Sequence, residues 1–132
     1  MKLVLDTNAY CLCDLGEEKA LSLVERATTL FLPTIVYGEL YYGFRHGNRF
    51  AANLKRLDDF VDQFGVQLIN VDRDVARKFG DIFAFLRKKG NPIPINDIWI
   101  AASCMSVGGV LLTNDQHFSV LEQIQCEFLE GI

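Results

Sequence analysis

No stretch of this sequence approaches the roughly 20 consecutive apolar residues that a membrane-spanning helix needs. The opening Met1-Lys2-Leu3-Val4-Leu5 is cut off by Asp6, an apolar run far too short for a secretory signal. A soluble, cytoplasmic protein with no membrane partner is therefore expected. Cysteine is sparse, with 4 residues: Cys11, Cys13, Cys104 and Cys126. Cys11 and Cys13 form C-x-C rather than C-x-x-C, and no second pair or nearby histidine completes a tetrahedral zinc set. Reduced, mostly buried thiols acting as small hydrophobes are expected instead. An excess of basic charge is also missing: 13 Lys and Arg stand against 17 Asp and Glu, for a net charge of −4. Alone, that argues against a nucleic-acid partner. The argument weakens if several carboxylates gather around a divalent cation that offsets them. Finally, no repeat, low-complexity tract or Pro/Gly/Ser-rich linker divides the 132 residues, so one domain with an ordinary core is expected.

What is present is globular in composition, 50% hydrophobic and 23% charged. Short apolar runs at Lys2 to Leu5, Leu30 to Leu32, Val66 to Val71 and Val110 to Thr113 read as strands, with a weaker one at Cys126 to Leu129. Between them lie helical patterns: Asn8 to Asp14, Glu17 to Ala27, Thr34 to Arg45, Arg49 to Phe64 and a helix opening at Asp72. In the last of these Val75, Phe79, Ile82, Phe83 and Leu86 share one face, and Gly90, Pro92 and Pro94 break it. Asn96 to Met105 is apolar nearly all round and reads as a buried helix. Thr34 and Asn96 are natural caps for the helices they precede. Strands alternating with helices predict an α/β, three-layer α/β/α domain around a mostly parallel sheet of about five strands.

Several carboxylates fall at special places in this map. Asp6 ends the first strand in Leu5-Asp6-Thr7-Asn8, and Asp115 follows the fourth in Leu112-Thr113-Asn114-Asp115. Functional groups of open parallel sheets collect just beyond the carboxyl ends of the strands. If those two strands are neighbours, the carboxylates can share a divalent cation. Asp97 opens the buried helix, where a carboxylate is also favoured simply by the helix dipole. Glu39 is the most telling, because Ile35-Val36-Tyr37-Gly38-Glu39-Leu40-Tyr41-Tyr42 holds no other charge. An ionised Glu in such surroundings is costly unless something pairs with it. Oxygen ligands from several points around one sheet edge suit Mg²⁺ or Mn²⁺.

The wording of these segments resembles the PIN-domain family, and within it the VapC-type toxin ribonucleases of toxin–antitoxin pairs. The matching pieces are Leu5-Asp6-Thr7-Asn8, Tyr37-Gly38-Glu39-Leu40, Asn96-Asp97 with Ile100-Ala101-Ala102, and Thr113-Asn114-Asp115 with His117-Phe118. The resemblance covers nearly the whole chain. It implies a dimeric nuclease that cuts RNA with Mg²⁺ or Mn²⁺, and a small antitoxin whose tail blocks the site. Through that antitoxin the pair would reach its operator DNA. Asp6, Asp97 and Asp115 are then expected as metal ligands, with Glu39 as a further ligand or the group that orients the attacking water. In-line displacement at a phosphodiester is the chemistry to expect.

Thr7, Asn8 and Thr113 carry neutral oxygens nearby and can bind water or substrate, or simply serve turns and caps. Arg45, His46 and Arg49 form a basic cluster suited to RNA phosphates, and Arg87, Lys88 and Lys89 form a second, which also reads as a solvated helix end. His46 and His117 raise a rival, a metal-free ribonuclease with two histidines as acid and base. Their settings are unhelpful: His46 lies at a glycine-flanked helix end and His117 precedes the core-like Phe118. A phosphoacceptor signalling domain needs an acidic pair near the first strand and a lysine after a late one, and neither is present. A silent interaction domain predicts loss of one or more acids, and none is missing. Tyr37, Tyr41 and Tyr42 add aromatic surface suited to core, to a dimer contact or to an antitoxin groove.

Overall fold

The computed structural model describes residues 1–130. Four short apolar runs and one mixed run become strands: β1 (Lys2–Leu5), β2 (Thr29–Pro33), β3 (Gln67–Ile69), β4 (Val110–Thr113) and β5 (Gln125–Phe128). They form one sheet in the order β3-β2-β1-β4-β5, and each neighbouring pair is parallel. The "mostly parallel" expectation thus becomes parallel pairing throughout. Leu3, Val4 and Leu5 of β1 face Leu111 and Leu112 of β4 and Leu32 of β2 in the core, all fully buried. A strand buried on both faces must be apolar along its length and not alternating, which is why these runs read so plainly in the sequence.

Six helices connect and cover the sheet: α1 (Thr7–Asp14), α2 (Glu18–Arg26), α3 (Thr34–His46), α4 (Phe50–Gln63), α5 (Arg73–Lys89) and α6 (Ile95–Val107). The chain steps outward from β1 to β3, crosses back to β4 and steps on to β5. Right-handed crossovers then place α1 to α4 on one face and α5 and α6 on the other, the three-layer α/β/α arrangement. Trp99 of α6 stacks on Phe79 of α5 with ring centroids 3.8 Å apart, locking that outer pair. Among the described residues no helix is long and apolar enough to cross a membrane.

Four local expectations are corrected. Thr34 does not cap α3: Pro33 holds the cap position, and the Thr34 hydroxyl donates to the Ile69 carbonyl at 3.3 Å. Asn96 does not cap α6, which starts one residue earlier with Pro94 at its cap and no side-chain capping bond. In both helices the fixed φ of proline starts the turn, which frees the polar side chain for a distant partner. The third strand is shorter than Val66 to Val71, because it is an edge strand whose Leu68 side is exposed. A short 3₁₀ turn at Gln116–Val120, anchored by buried Phe118, follows β4 where no element was expected. All four cysteines are free thiols; Cys13 and Cys104 are buried, Cys126 is half-buried and Cys11 is exposed.

Candidate active site

The pairing of β1 with β4 sets Leu5 beside Leu112, so the residues that follow them emerge together at the carboxyl edge of the sheet. This is also the place where the crossovers change direction, the usual crevice of an open parallel sheet. Asp6 leaves β1 there, buried to 4% exposure, and serves as the N-cap of α1. Its Oδ1 accepts the backbone N–H of Ala9 at 2.8 Å, and its Oδ2 accepts the hydroxyl of Thr113 from the adjacent strand. Burial pushes the Asp6 carboxyl up to about 6 against the opposing pull of those two hydrogen bonds, and the charges of Asp97 and Asp115 add to the rise.

Three further carboxylates converge on the same cavity, one of about 530 Å³ lined by Asp6, Thr7, Asn8, Glu39, Asn96, Asp97, Asp115 and His117, with Pro94, Ile95 and Ile100 as its apolar wall. Glu39 arrives from the second turn of α3, half-buried. The Thr7 hydroxyl donates to its Oε1 at 2.8 Å and the Asn96 amide reaches its Oε2 at 3.5 Å. The pairing that the sequence demanded for this Glu is therefore made in part by neutral donors. Asp97 lies in the first turn of α6, its carboxylate half-buried and raised above the ordinary value by burial first and by the charge of Asp115 second. Asp115 caps the 3₁₀ turn through Oδ1, which accepts the His117 N–H at 2.9 Å.

Asp6, Glu39, Asp97 and Asp115 thus come together from four separate parts of the chain. Thr7 and Asn8 line the cavity, with Asn8 donating to Asn114 at 2.9 Å, and Thr113 stands behind Asp6. Arg45, His46 and Arg49 do not join them. Arg45 sits over the Phe50 ring at 5.2 Å, His46 pairs with the Tyr42 hydroxyl at 2.9 Å, and Arg49 precedes α4. His46 and His117 are therefore not paired in one pocket, which removes the geometry a two-histidine mechanism needs. Arg87, Lys88 and Lys89 form the last turn of α5, where cations complement the helix dipole.

Sequence reasoning passed over Asn96 as a cap and His117 as a neighbour of the core. Both line the cavity. His117 Nδ1 lies 3.2 Å from Asp115 Oδ1 and 3.6 Å from Asp97 Oδ2, and one ligand atom from each of these three residues falls within 4.8 Å of the others. The sequence signals for His117 were its spacing two residues after Asp115 and its place in the His117-Phe118 piece of the family resemblance.

No lysine or arginine lines the cavity among the described residues, so His117 is the one basic side chain beside its carboxylates. Such a donor set, all oxygen but for one imidazole, fits a divalent cation, whose charge would also relieve the strain that raises Asp6 and Asp97.

Fold and cavity together define an α/β protein whose acidic groups gather beyond the carboxyl ends of a parallel sheet, at its topological switch point. Comparison with known proteins gives the family. The family model described as "PIN domain" matches residues 3–123. Ribonuclease VapC2 of Haemophilus influenzae is 30% identical over 119 residues, covering 87% of each chain. Among solved structures, DNA-bound VapBC from Salmonella typhimurium aligns at TM-score 0.84 and 26% identity over 97% of this chain and 98% of that one. VapBC2 from Rickettsia felis, bound to a promoter DNA fragment, aligns at TM-score 0.87 and 23% identity over 98% and 100%. The chain belongs to the PIN-domain family.

Proposed function

We propose that this protein is a metal-dependent endoribonuclease, the toxin of a type II toxin–antitoxin pair, acting in the cytoplasm. The observation that carries the reading is the convergence of Asp6, Glu39, Asp97 and Asp115 on one cavity that no lysine or arginine lines. The relatives named as ribonucleases, and the structural neighbours titled as VapBC complexes, support the substrate class and the toxin role. The DNA-bound VapBC neighbours also favour a small antitoxin partner and contact with operator DNA through it. A homodimer is part of the proposal, in keeping with exposed Tyr41 and Tyr42 on α3.

Asp6, Asp97 and Asp115 would hold Mg²⁺ or Mn²⁺, with Glu39 as a further ligand. A divalent cation bound there supplies positive charge against the phosphate oxygens of an in-line displacement. The protein's own contribution is position. Thr113 and the Ala9 N–H fix both oxygens of Asp6, so this acid faces the cavity in one orientation. Glu39, steadied by Thr7 and Asn96, offers a carboxylate oxygen to orient the attacking water and accept its proton. Pro94, Ile95 and Ile100 form an apolar wall beside it. Thr7 and Asn8 would hydrogen-bond substrate, and Arg45, His46 and Arg49 would contact the RNA backbone outside the cavity.

The test is cleavage of total RNA by antitoxin-free protein with Mg²⁺, with Mn²⁺ and with EDTA, beside Asp6→Asn. Cleavage that requires the ion and is lost in the variant is expected. Cleavage that survives EDTA would overturn the metal reading, and absence of both cleavage and metal binding would overturn the nuclease.

A further inference from the structure

We propose that His117 supplies a nitrogen ligand to the cation held by Asp97 and Asp115, and that this ligand biases the site toward Mn²⁺ over Mg²⁺. The inference rests on the carboxylate–cation reading above and adds a residue and a selectivity to it.

The position of the ring is built, not incidental. Phe118, buried to 1% exposure, anchors the 3₁₀ turn in the core, and the His117 N–H is tied to Asp115 Oδ1 at 2.9 Å. Those restraints on either side of the Cα turn the imidazole back over the acids. Nδ1 then sits 3.2 Å from Asp115 Oδ1 and 3.6 Å from Asp97 Oδ2. Adjacent ligands on an octahedral ion with bonds of about 2.1 Å lie about 3.0 Å apart, and opposite ones about 4.2 Å. Both observed separations fall between these limits, as two pairs of ligands on one ion require. The imidazole side chain is 57% exposed, so it has room to adjust.

The chemistry of the donor decides the preference. Mg²⁺ is a hard ion that takes oxygen ligands and keeps its waters, whereas a nitrogen donor gains affinity along the first-row transition series, in which Mn²⁺ is the weakest member but still more accepting than Mg²⁺. A set of carboxylates alone gives little discrimination between Mg²⁺ and Mn²⁺. Adding one neutral nitrogen strengthens the Mn²⁺ complex and does little for Mg²⁺. For Nδ1 to present its lone pair, the ring proton must sit on Nε2.

The experiment uses the full chain loaded with Mn²⁺, read by electron spin-echo envelope modulation, together with calorimetric Mn²⁺ and Mg²⁺ titrations. His117→Ala is compared with wild type, and circular dichroism melts check that the variant folds. The expected result is a directly coordinated ¹⁴N signal that disappears in His117→Ala. The Mn²⁺ dissociation constant should rise about tenfold, in the range found when metal-site residues are removed, while that of Mg²⁺ changes by less than about threefold. Mn²⁺ bound without nitrogen coupling, or equal weakening of both ions in the variant, would overturn the His117 assignment and leave the carboxylate site standing. Absence of Mn²⁺ binding in wild type, or binding unchanged by Asp97→Asn, would remove the carboxylate–cation reading and this inference with it.

Discussion

Thr113, the last residue of β4, donates its hydroxyl hydrogen to the buried carboxylate of Asp6, the residue that follows β1. The same oxygen accepts the N–H of Asp115 at 2.9 Å. One side chain therefore orients two of the acids and ties the ends of the two central strands. Thr113→Val keeps the shape but leaves the Asp115 N–H and one Asp6 oxygen without their partner. A loss of about 1–3 kcal/mol is expected in urea unfolding, the penalty for stranding buried polar groups. Thr113→Ser keeps the hydroxyl and should lose clearly less. Equal losses for the two variants would mean that the hydroxyl is not the group that matters.

The raised carboxyl of Asp6 makes the metal-free protein sensitive to pH. Folding binds a proton at Asp6 more tightly than the unfolded chain does, from an ordinary 3.8 to about 6. Its contribution is complete below the unfolded value and is lost as pH rises through about 6, so the ionised acid weighs against the fold at neutral pH. A rise of about two units corresponds to a penalty on the order of 3 kcal/mol at most. In EDTA, Asp6→Asn should melt above wild type at pH 7.5, and the gap should close as pH falls below about 5. A gap that grows toward acid would show that Asp6 is not held in this way.

Glu39→Gln separates chemistry from folding. The Thr7 hydroxyl can still donate to a carbonyl oxygen at the same place, so the melting temperature should stay within a few degrees. Cleavage should fall by about 10²-fold or more, because the amide can neither carry the charge nor accept a proton from water. Unchanged cleavage would remove Glu39 from the chemistry.

Gly109 stands where the end of α6 crosses close to β1. A Cβ built there would meet Val4 Cγ2 at 2.7 Å and the Lys2 carbonyl at 3.4 Å. Val4 is fully buried and stiff at χ1, so it cannot swing aside. Gly109→Ala should cost about 1–3 kcal/mol by overpacking. Combined with Val4→Ala, the total should be less than the sum of the single changes, as expected for residues in contact. Strict additivity would place the clash elsewhere.

The sequence is most legible where burial leaves little choice. β1 and β4 lie at the centre of a parallel sheet and must be apolar on both faces, so Leu3 to Leu5 and Val110 to Leu112 announce themselves, and the acids that end them stand out by contrast. Glu39 is legible for a related reason, as a lone charge within an apolar helix. Thr34 and Asn96 mislead because capping is a local rule, and a distant partner outweighs it: the Ile69 carbonyl for one and the Glu39 carboxylate for the other. Arg45 and His46 are close to Glu39 in sequence, yet the rise of α3 carries them roughly 10 Å further along the helix, out of the cavity. His117 belongs to a single turn without periodicity, and only the folded chain discloses what its ring faces.

The place of β4 beside β1 also governs when the acidic pocket can exist. The Asp6–Thr113 bond spans 107 residues. A chain growing at about 5–20 residues per second therefore needs roughly 5 to 20 seconds after Asp6 is made before its partner is available. Until then Asp115 is missing from the set of acids, and β1 lacks its β4 neighbour on one side. A product halted just before Val110 would carry Asp6, Glu39 and Asp97 but neither Asp115 nor the β1–β4 pairing that gathers the acids. The topology thus makes completion of the acidic set one of the last events of synthesis.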